Sequence, residues 1–220
     1  MSTTVPVVER VLSANDAVAG EVRALLDARG VYCVNLMASP GAGKTSLIER
    51  TVAALKDEFG VGMINGDTSA AAFDAERSQR AGAVAVHVNT QGKCHLEAAM
   101  VRDALALLPL DRIRLLLVEN VGNLVCPMSW KLGAHANVLI GSTPEGDDKP
   151  YKYPKMYAGV DVIVLNKIDL LPYLEFDSER FLRGVEALNP GLRKFRLSCR
   201  TGEGLEEWIA WLRHQAGANR

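Results

Sequence analysis

The stretch ASPGAGKTS, residues 38–46, places Gly41, Ala42 and Gly43 directly before a lysine and two hydroxyls. Small residues let the backbone bend closely around an anion. The N–H groups of Gly41, Ala42 and Gly43 can surround a phosphate at a helix N-terminus, and Lys44 can reach the β and γ oxygens. The Thr45 hydroxyl can hold Mg²⁺, with Ser46 beside it at the same nucleotide site. Ala38 stands where the general P-loop pattern has its first glycine, but the GAGKT core is intact. The bland alternative is a glycine-rich turn that binds nothing.

A second segment, VLNKID (164–169), ends an apolar run with Asn166, Lys167 and Asp169. It resembles the guanine-specificity motif of P-loop GTPases. That resemblance makes Asp169 the acceptor for the guanine N1 and exocyclic amine, with Asn166 and Lys167 supporting the loop and base. SCRTGEG (198–204) falls where such proteins carry their last base-contacting loop, so Ser198 and Cys199 join the nucleotide site and GTP/GDP is the expected ligand.

Between these lie carboxylates. Glu119 closes the apolar run LLLVE three residues before Gly122, an arrangement that resembles a Walker-B acid followed by switch II. Asp67 in NGDTS and Asp74 in FDAER are two further candidates. With Lys44 and Glu119 they form the expected catalytic set; with Thr45 and Glu119 they are the Mg²⁺ candidates, either Asp binding the ion or orienting the attacking water. The stretch NTQGKCHLEAAM (89–100) adds two adjacent metal-seeking side chains, Cys94 and His95. An arbitrary pair of this kind is more often a packed Cys beside a solvated His.

Such residues need a scaffold. Short aliphatic runs at 31–37, 60–65, 83–88, 112–119, 137–142, 161–166 and 194–198 alternate with amphipathic stretches. Several are apolar almost throughout, as strands covered on both faces are. The expected fold class is α/β: a P-loop NTPase fold with a predominantly parallel central sheet and helices on both faces. Helices are expected over residues 13–30, with Val18, Val22, Leu25 and Leu26 on one face, over 44–60 with Gly60 as the stop, and over 93–108 and 203–215. TPEGDDKPYKYP (143–154) reads as a loop.

The 220 residues with a formal charge of −1 fit one globular domain, 1–220, with an N-terminal helical extension over about 1–30. This balance gives no general attraction to nucleic acid or anionic membrane, and no apolar run is long enough to span a bilayer. Four scattered cysteines and a start lacking a secretory pattern read as cytoplasmic. Cys33 and His87 read as packing residues, His135 and His214 as surface residues.

Taken in order, SPGAGKTS, GDTSAAAFDAER, NTQGKCHLEA, ENVGNLVCP, STPEGDDKPYKYP and NKIDLLPY resemble the hydrogenase nickel-incorporation GTPase (HypB) family from about Val31 onward. The resemblance implies a GTP-hydrolysing nickel metallochaperone that assists nickel insertion into a [NiFe]-hydrogenase precursor. It carries the family's metal site onto Cys94, His95 and Cys126, for Ni²⁺ or Zn²⁺. Cys94 at an expected helix N-terminus is suited to the thiolate form. Three donors leave a four-coordinate ion incomplete, so a homodimer favoured by GTP is expected. Lys149 and Lys152 are candidates to contact phosphate within one chain or across that dimer.

The first thirty residues hold no Cys or His, so delivery is expected through a nickel-chaperone partner, with the hydrogenase large-subunit precursor as the target. The rival readings are a urease-type nickel-maturation GTPase, a P-loop kinase of a small metabolite, and a nucleotide-gated scaffold without a metal role. Against the urease type, Cys126-Pro127 is followed by Met128 rather than by His.

Overall fold

A computed structural model describes residues 7–68 and 73–218. Seven strands, β1 (Tyr32–Ala38), β2 (Gly60–Asp67), β3 (Val84–Asn89), β4 (Ile113–Glu119), β5 (Ala136–Ser142), β6 (Val162–Asn166) and β7 (Arg193–Arg196), form one sheet in the order β3-β2-β4-β1-β5-β6-β7. Every neighbouring pair is parallel. The chain leaves β1 toward one edge and later returns to its other side at β5. The mouth of β1 is therefore a switch point, where a crevice opens between diverging connections.

Alternation along each strand distributes the core. Tyr32, Val34 and Leu36 of β1 and Leu115 and Leu117 of β4 pack with α2 (Lys44–Leu55) and α8 (Leu205–Ala218). Cys33, Leu116 and Val118 face the other side, toward α1 (Val7–Ala28) and α4 (Ala98–Leu105). Further along that side, Leu139, Ile163 and Leu165 pack with α6 (Pro154–Ala158) and α7 (Ser178–Leu188). The remaining helices are α3 (Phe73–Ala81) and the single turn α5 (Lys149–Lys152).

Several expectations need correction. The first six residues of the expected extension, and 69–72 of the GDTSAAAFDAER segment, lie outside the described residues. Helix α2 ends at Leu55, and Gly60 instead opens β2, where an added Cβ would meet the Arg112 carbonyl oxygen at 1.9 Å. The segment 143–154 is not open loop: a 3-10 turn (Thr143–Glu145) and α5 fall within it, and α6 begins at its last residue. Its opening is fixed by a capping box, in which the Glu145 carboxylate accepts from the N–H and hydroxyl of Ser142.

His135 is not a surface residue. Its side chain is 10% exposed; Nδ1 accepts from the Cys33 N–H at 2.9 Å, and Nε2 lies 2.8 Å from the Asp27 carboxylate of α1. The neutral tautomer with hydrogen on Nε2 satisfies both contacts, and burial holds the imidazole pKa below its ordinary value. Protonation would turn a second N–H toward the Cys33 N–H. The contribution is therefore complete above the unfolded-state pKa of about 6.5 and falls as pH drops below it. His135→Ala should cost about 1–3 kcal/mol by leaving the Cys33 N–H unpaired. Thermal unfolding at pH 8 and pH 5.5 should show the wild type losing more of its stability on acidification than the variant does.

Candidate nucleotide and metal site

The turn between β1 and α2 is shaped for an anion. Gly43 precedes the first residue of α2 at φ 102°, and a Cβ there would meet Asn166 Nδ2 at 2.3 Å. Only glycine satisfies both constraints. Asn166 Nδ2 donates to the Ala42 carbonyl at 2.9 Å and Lys167 Nζ to the Gly41 carbonyl at 2.6 Å. Asn166 and Lys167 thus brace the glycine turn from the end of β6, two strands away from β1.

In front of this turn is a cavity of about 490 Å³ whose lining includes Lys44, Thr45, Asp67, Asp74, Arg77 and Glu119. Glu119 is 3% exposed and accepts from Thr45 Oγ1 at 2.7 Å and from Asn65 Nδ2 at 3.2 Å. Burial raises its carboxyl pKa, opposed by the Thr45 hydrogen bond and Lys44, while burial also pulls Lys44 down. Two buried opposite charges with a hydroxyl between them suit a metal–phosphate pair: the phosphate oxygens can meet Lys44, and a hard cation can take Thr45 and Glu119.

Asp67 and Asp74 reach the same cavity, so the structure brings the four acidic and basic candidates together. Sequence reasoning missed three lining residues with polar side chains, Arg77, Asn65 and Asn120. Arg77 forms a bidentate pair with Glu49 of α2 at 2.8 and 2.7 Å and lies 3.6 Å from Asp74. Its i,i+3 spacing from Asp74 was the available signal.

A second cavity of about 320 Å³ adjoins the first and is lined by Ser46, Asn166, Asp169 and Cys199. Gly43, Ser46 and Lys167 border both, so one extended ligand can occupy the pair. Ser198 Oγ donates to Asp169 Oδ1 at 2.6 Å, which orients the carboxylate at the cavity wall. Cys199 contributes backbone: its N–H donates to Asn166 Oδ1 at 3.1 Å, and its thiol pKa is pushed up to about 11 by burial.

Cys94 and His95 lie in a loop four and three residues before α4 begins at Ala98, not in a helix from residue 93. Gln91 at φ 53° and Gly92 at φ 87° turn the chain, and Leu96 is fully buried under Gly66. The helix-terminus argument for a Cys94 thiolate therefore does not hold; in the loop, Cys94 Sγ is 3.7 Å from His95 Nδ1. The neighbouring Cys94 side chain raises the pKa of Cys126, and Asn123 Nδ2 donates to Cys126 Sγ at 3.4 Å. His95 stacks on Trp130 with ring centroids 4.4 Å apart, and its Nε2 is buried without a hydrogen-bond partner.

Two soft thiols and an imidazole nitrogen with an unused lone pair or proton fit a borderline ion such as Ni²⁺ or Zn²⁺. Among the described residues, however, no three His, Cys, Asp or Glu side chains converge tightly enough to hold a metal ion. Cys33 is fully buried with its thiol pushed up to about 12, and His87 Nδ1 sits 2.8 Å from Asn65 Oδ1; both are packed, as expected. Lys152 is paired with Asp148 at 2.5 Å, and Lys149 lies over the Tyr153 ring at 5.3 Å.

An all-parallel seven-stranded sheet with a glycine turn, lysine and buried acid at its switch point defines a P-loop nucleotide-binding protein. Residues 32–196 match the family described as CobW/HypB/UreG, nucleotide-binding domain. The hydrogenase maturation factor HypB of Rhizobium leguminosarum bv. viciae is 45% identical over 202 residues, covering 92% of this chain and 67% of that protein. The corresponding factor of Escherichia coli K12 is 44% identical over 205 residues, covering 93% and 70%. The crystal structure of HypB from Helicobacter pylori in complex with nickel superimposes with a TM-score of 0.88 at 36% identity, covering 94% and 96% of the two chains. The chain belongs to the HypB family of hydrogenase maturation factors.

Proposed function

We propose that this protein is a cytoplasmic GTPase that carries nickel toward a [NiFe]-hydrogenase precursor, its 220 residues forming one domain that works as a GTP-favoured homodimer. The observation that carries this reading is the proximity of the Cys94 and Cys126 side chains: Cys126 follows Glu119 by seven residues on the segment that also holds Gly122, which lines the nucleotide cavity. The nickel named with the Helicobacter pylori relative supports the same assignment. Nickel is cargo here, so a donor set that does not close within one chain suits a carrier that must release it, and a second copy can supply the missing donors.

In this reading Asp169 accepts from the guanine edge, Lys44 neutralises the β and γ oxygens, and Thr45 with Glu119 holds Mg²⁺. Magnesium, when bound, would offset charge on the phosphates. Asp67 or Asp74 orients the attacking water, and Gly122 leaves room for the backbone to approach the γ-phosphate. The Cys126 segment follows that movement. A nickel chaperone partner and the hydrogenase large-subunit precursor complete the proposed delivery route.

Titrating nickel into protein loaded with GDP or with a non-hydrolysable GTP analogue tests this. The affinities should differ by roughly 5- to 150-fold, as a coupling of about 1–3 kcal/mol requires. Cys126→Ala should abolish the difference. Equal affinities in the wild type, or a difference that survives the substitution, would remove the nucleotide-controlled carrier.

A further inference from the structure

Two buried carboxamides join the loop that carries Cys94 and His95 to the segment that carries Cys126. Asn120, 1% exposed, follows Glu119 at the end of β4. Its Oδ1 accepts from the Leu96 N–H at 3.1 Å and the Val121 N–H at 3.0 Å, and its Nδ2 donates to Asn35 Oδ1 at 3.1 Å. Asn15, 8% exposed on α1, accepts from the Ala98 N–H at 2.8 Å and donates to the Lys131 carbonyl at 2.8 Å.

The contacts are paired. Positions 96 and 98 flank one side of the donor cluster, and positions 120 and 131 are the two ends of the segment containing Cys126. Each carboxamide spans the two strands of chain, using its oxygen for the loop; Asn15 also uses its nitrogen for the far end of the segment. A side chain that merely filled space would not need both halves of its amide in opposite directions. A buried amide leaving either half unpaired would be costly, so each position favours one orientation.

We propose that Asn15 and Asn120 are positioning residues for the Cys94–His95–Cys126 cluster. They hold the two chain segments in register at both ends of the stretch 121–130 that carries Cys126. Asn120 does this from the strand that carries Glu119, which places the nearer pin at the nucleotide cavity. The inference rests on the metal-carrier reading for its consequence, but the register itself is a property of the metal-free chain.

The competing role for Asn15 is to cap α4, since Ala98 is that helix's first residue. Asn15→Asp separates the two. It keeps an oxygen for the Ala98 N–H, and a carboxylate there favours the helix end, but it loses the N–H that reaches Lys131 and faces that carbonyl with an oxygen. Nickel affinity of the full chain should fall roughly 10- to 100-fold, as for other outer partners of metal ligands, with GDP affinity at its wild-type value and the melting temperature lowered by the unpaired Lys131 carbonyl.

In parallel, metal-free protein is treated with dibromobimane, which fluoresces on bridging neighbouring thiols, and the Cys94–Cys126 product is identified by peptide mass. The bridge should form more slowly in Asn15→Asp than in the wild type. Asn120→Ala, read by the same two measurements, should behave likewise and decides the matter if Asn15→Asp fails to fold. Wild-type nickel affinity and wild-type bridging in the folded variants would overturn the proposal and leave Asn15 as a helix cap. If the wild type binds no nickel, the carrier reading fails and the bridging rates alone decide the register.

Discussion

Replacing Asp169 by asparagine is expected to weaken GTP binding roughly 10²- to 10⁴-fold, the loss of two hydrogen bonds to a charged acceptor worth about 1.5–3 kcal/mol each. Guanine offers two donors along one edge, N1–H and the exocyclic amine. A carboxylate accepts both, whereas a carboxamide can accept one and sets its own N–H₂ against the other. Xanthine carries a carbonyl where guanine has the amine, so the asparagine variant should prefer xanthosine triphosphate. Ser198 Oγ, 2.6 Å from Asp169 Oδ1, can still donate to the amide oxygen, so the loop itself need not change. Competition binding with GTP, ATP and XTP measures the switch; a variant that keeps wild-type GTP affinity would remove Asp169 from the base site.

The second large effect is at Lys44. Its ammonium is buried beside Glu119, with Asp74 and Asp67 contributing further negative potential. Removing this ammonium takes positive charge from beside Glu119 just where phosphate must approach, while Arg77 stays committed to Glu49 and Asp74. Lys44→Ala should lower single-turnover hydrolysis at saturating GTP by roughly 10²- to 10³-fold, the usual cost of deleting one preorganised charge-stabilising donor. Because Lys44 is the first residue of α2 and its side chain points into the cavity, the helix should persist; circular dichroism and thermal unfolding check this independently. Near-normal turnover would count against the P-loop assignment.

Those two residues, the seven strands and the order of motifs could be read from the chain because each carries a local signature. Runs such as LLLV and VIVL are apolar on both faces, as strands of a parallel sheet covered by helices are. The glycine turn and NKID each hold their function within a few consecutive residues. What stayed hidden depends on distant partners. CHLEAAM has helical composition, but burial of Leu96 beneath Gly66 and capture of its N–H by Asn120 keep residues 94–97 out of the helix.

Helix α3 is strongly polar, and its placement follows from the Arg77–Glu49 pair rather than from an apolar stripe. His135 has no neighbouring residue in sequence that announces its bond to Asp27. Asn15, Asn35 and Asn120 look like ordinary polar residues until the fold buries them. The donors Cys94, His95 and Cys126 were nameable through a family resemblance, whereas the buried links that join their segments required coordinates.

The strand order also has a consequence for synthesis. β1 pairs only with β4 and β5, so a chain emerging from the ribosome carries its glycine turn with no sheet to hold it until Ile113–Ser142 has followed. The base end waits longer, for Asn166, Asp169 and finally Cys199. At about 5–20 residues per second, the interval between the phosphate turn and the base loop is on the order of 10–30 s. Until Ser142 has followed, the backbone N–H and C=O groups along both edges of β1 lack their sheet partners, and contacts of this range are slow to form. Nucleotide binding thus becomes possible only once Cys199 has followed, and the ligand that then bridges both cavities ties the turn after β1 to the loop after β7.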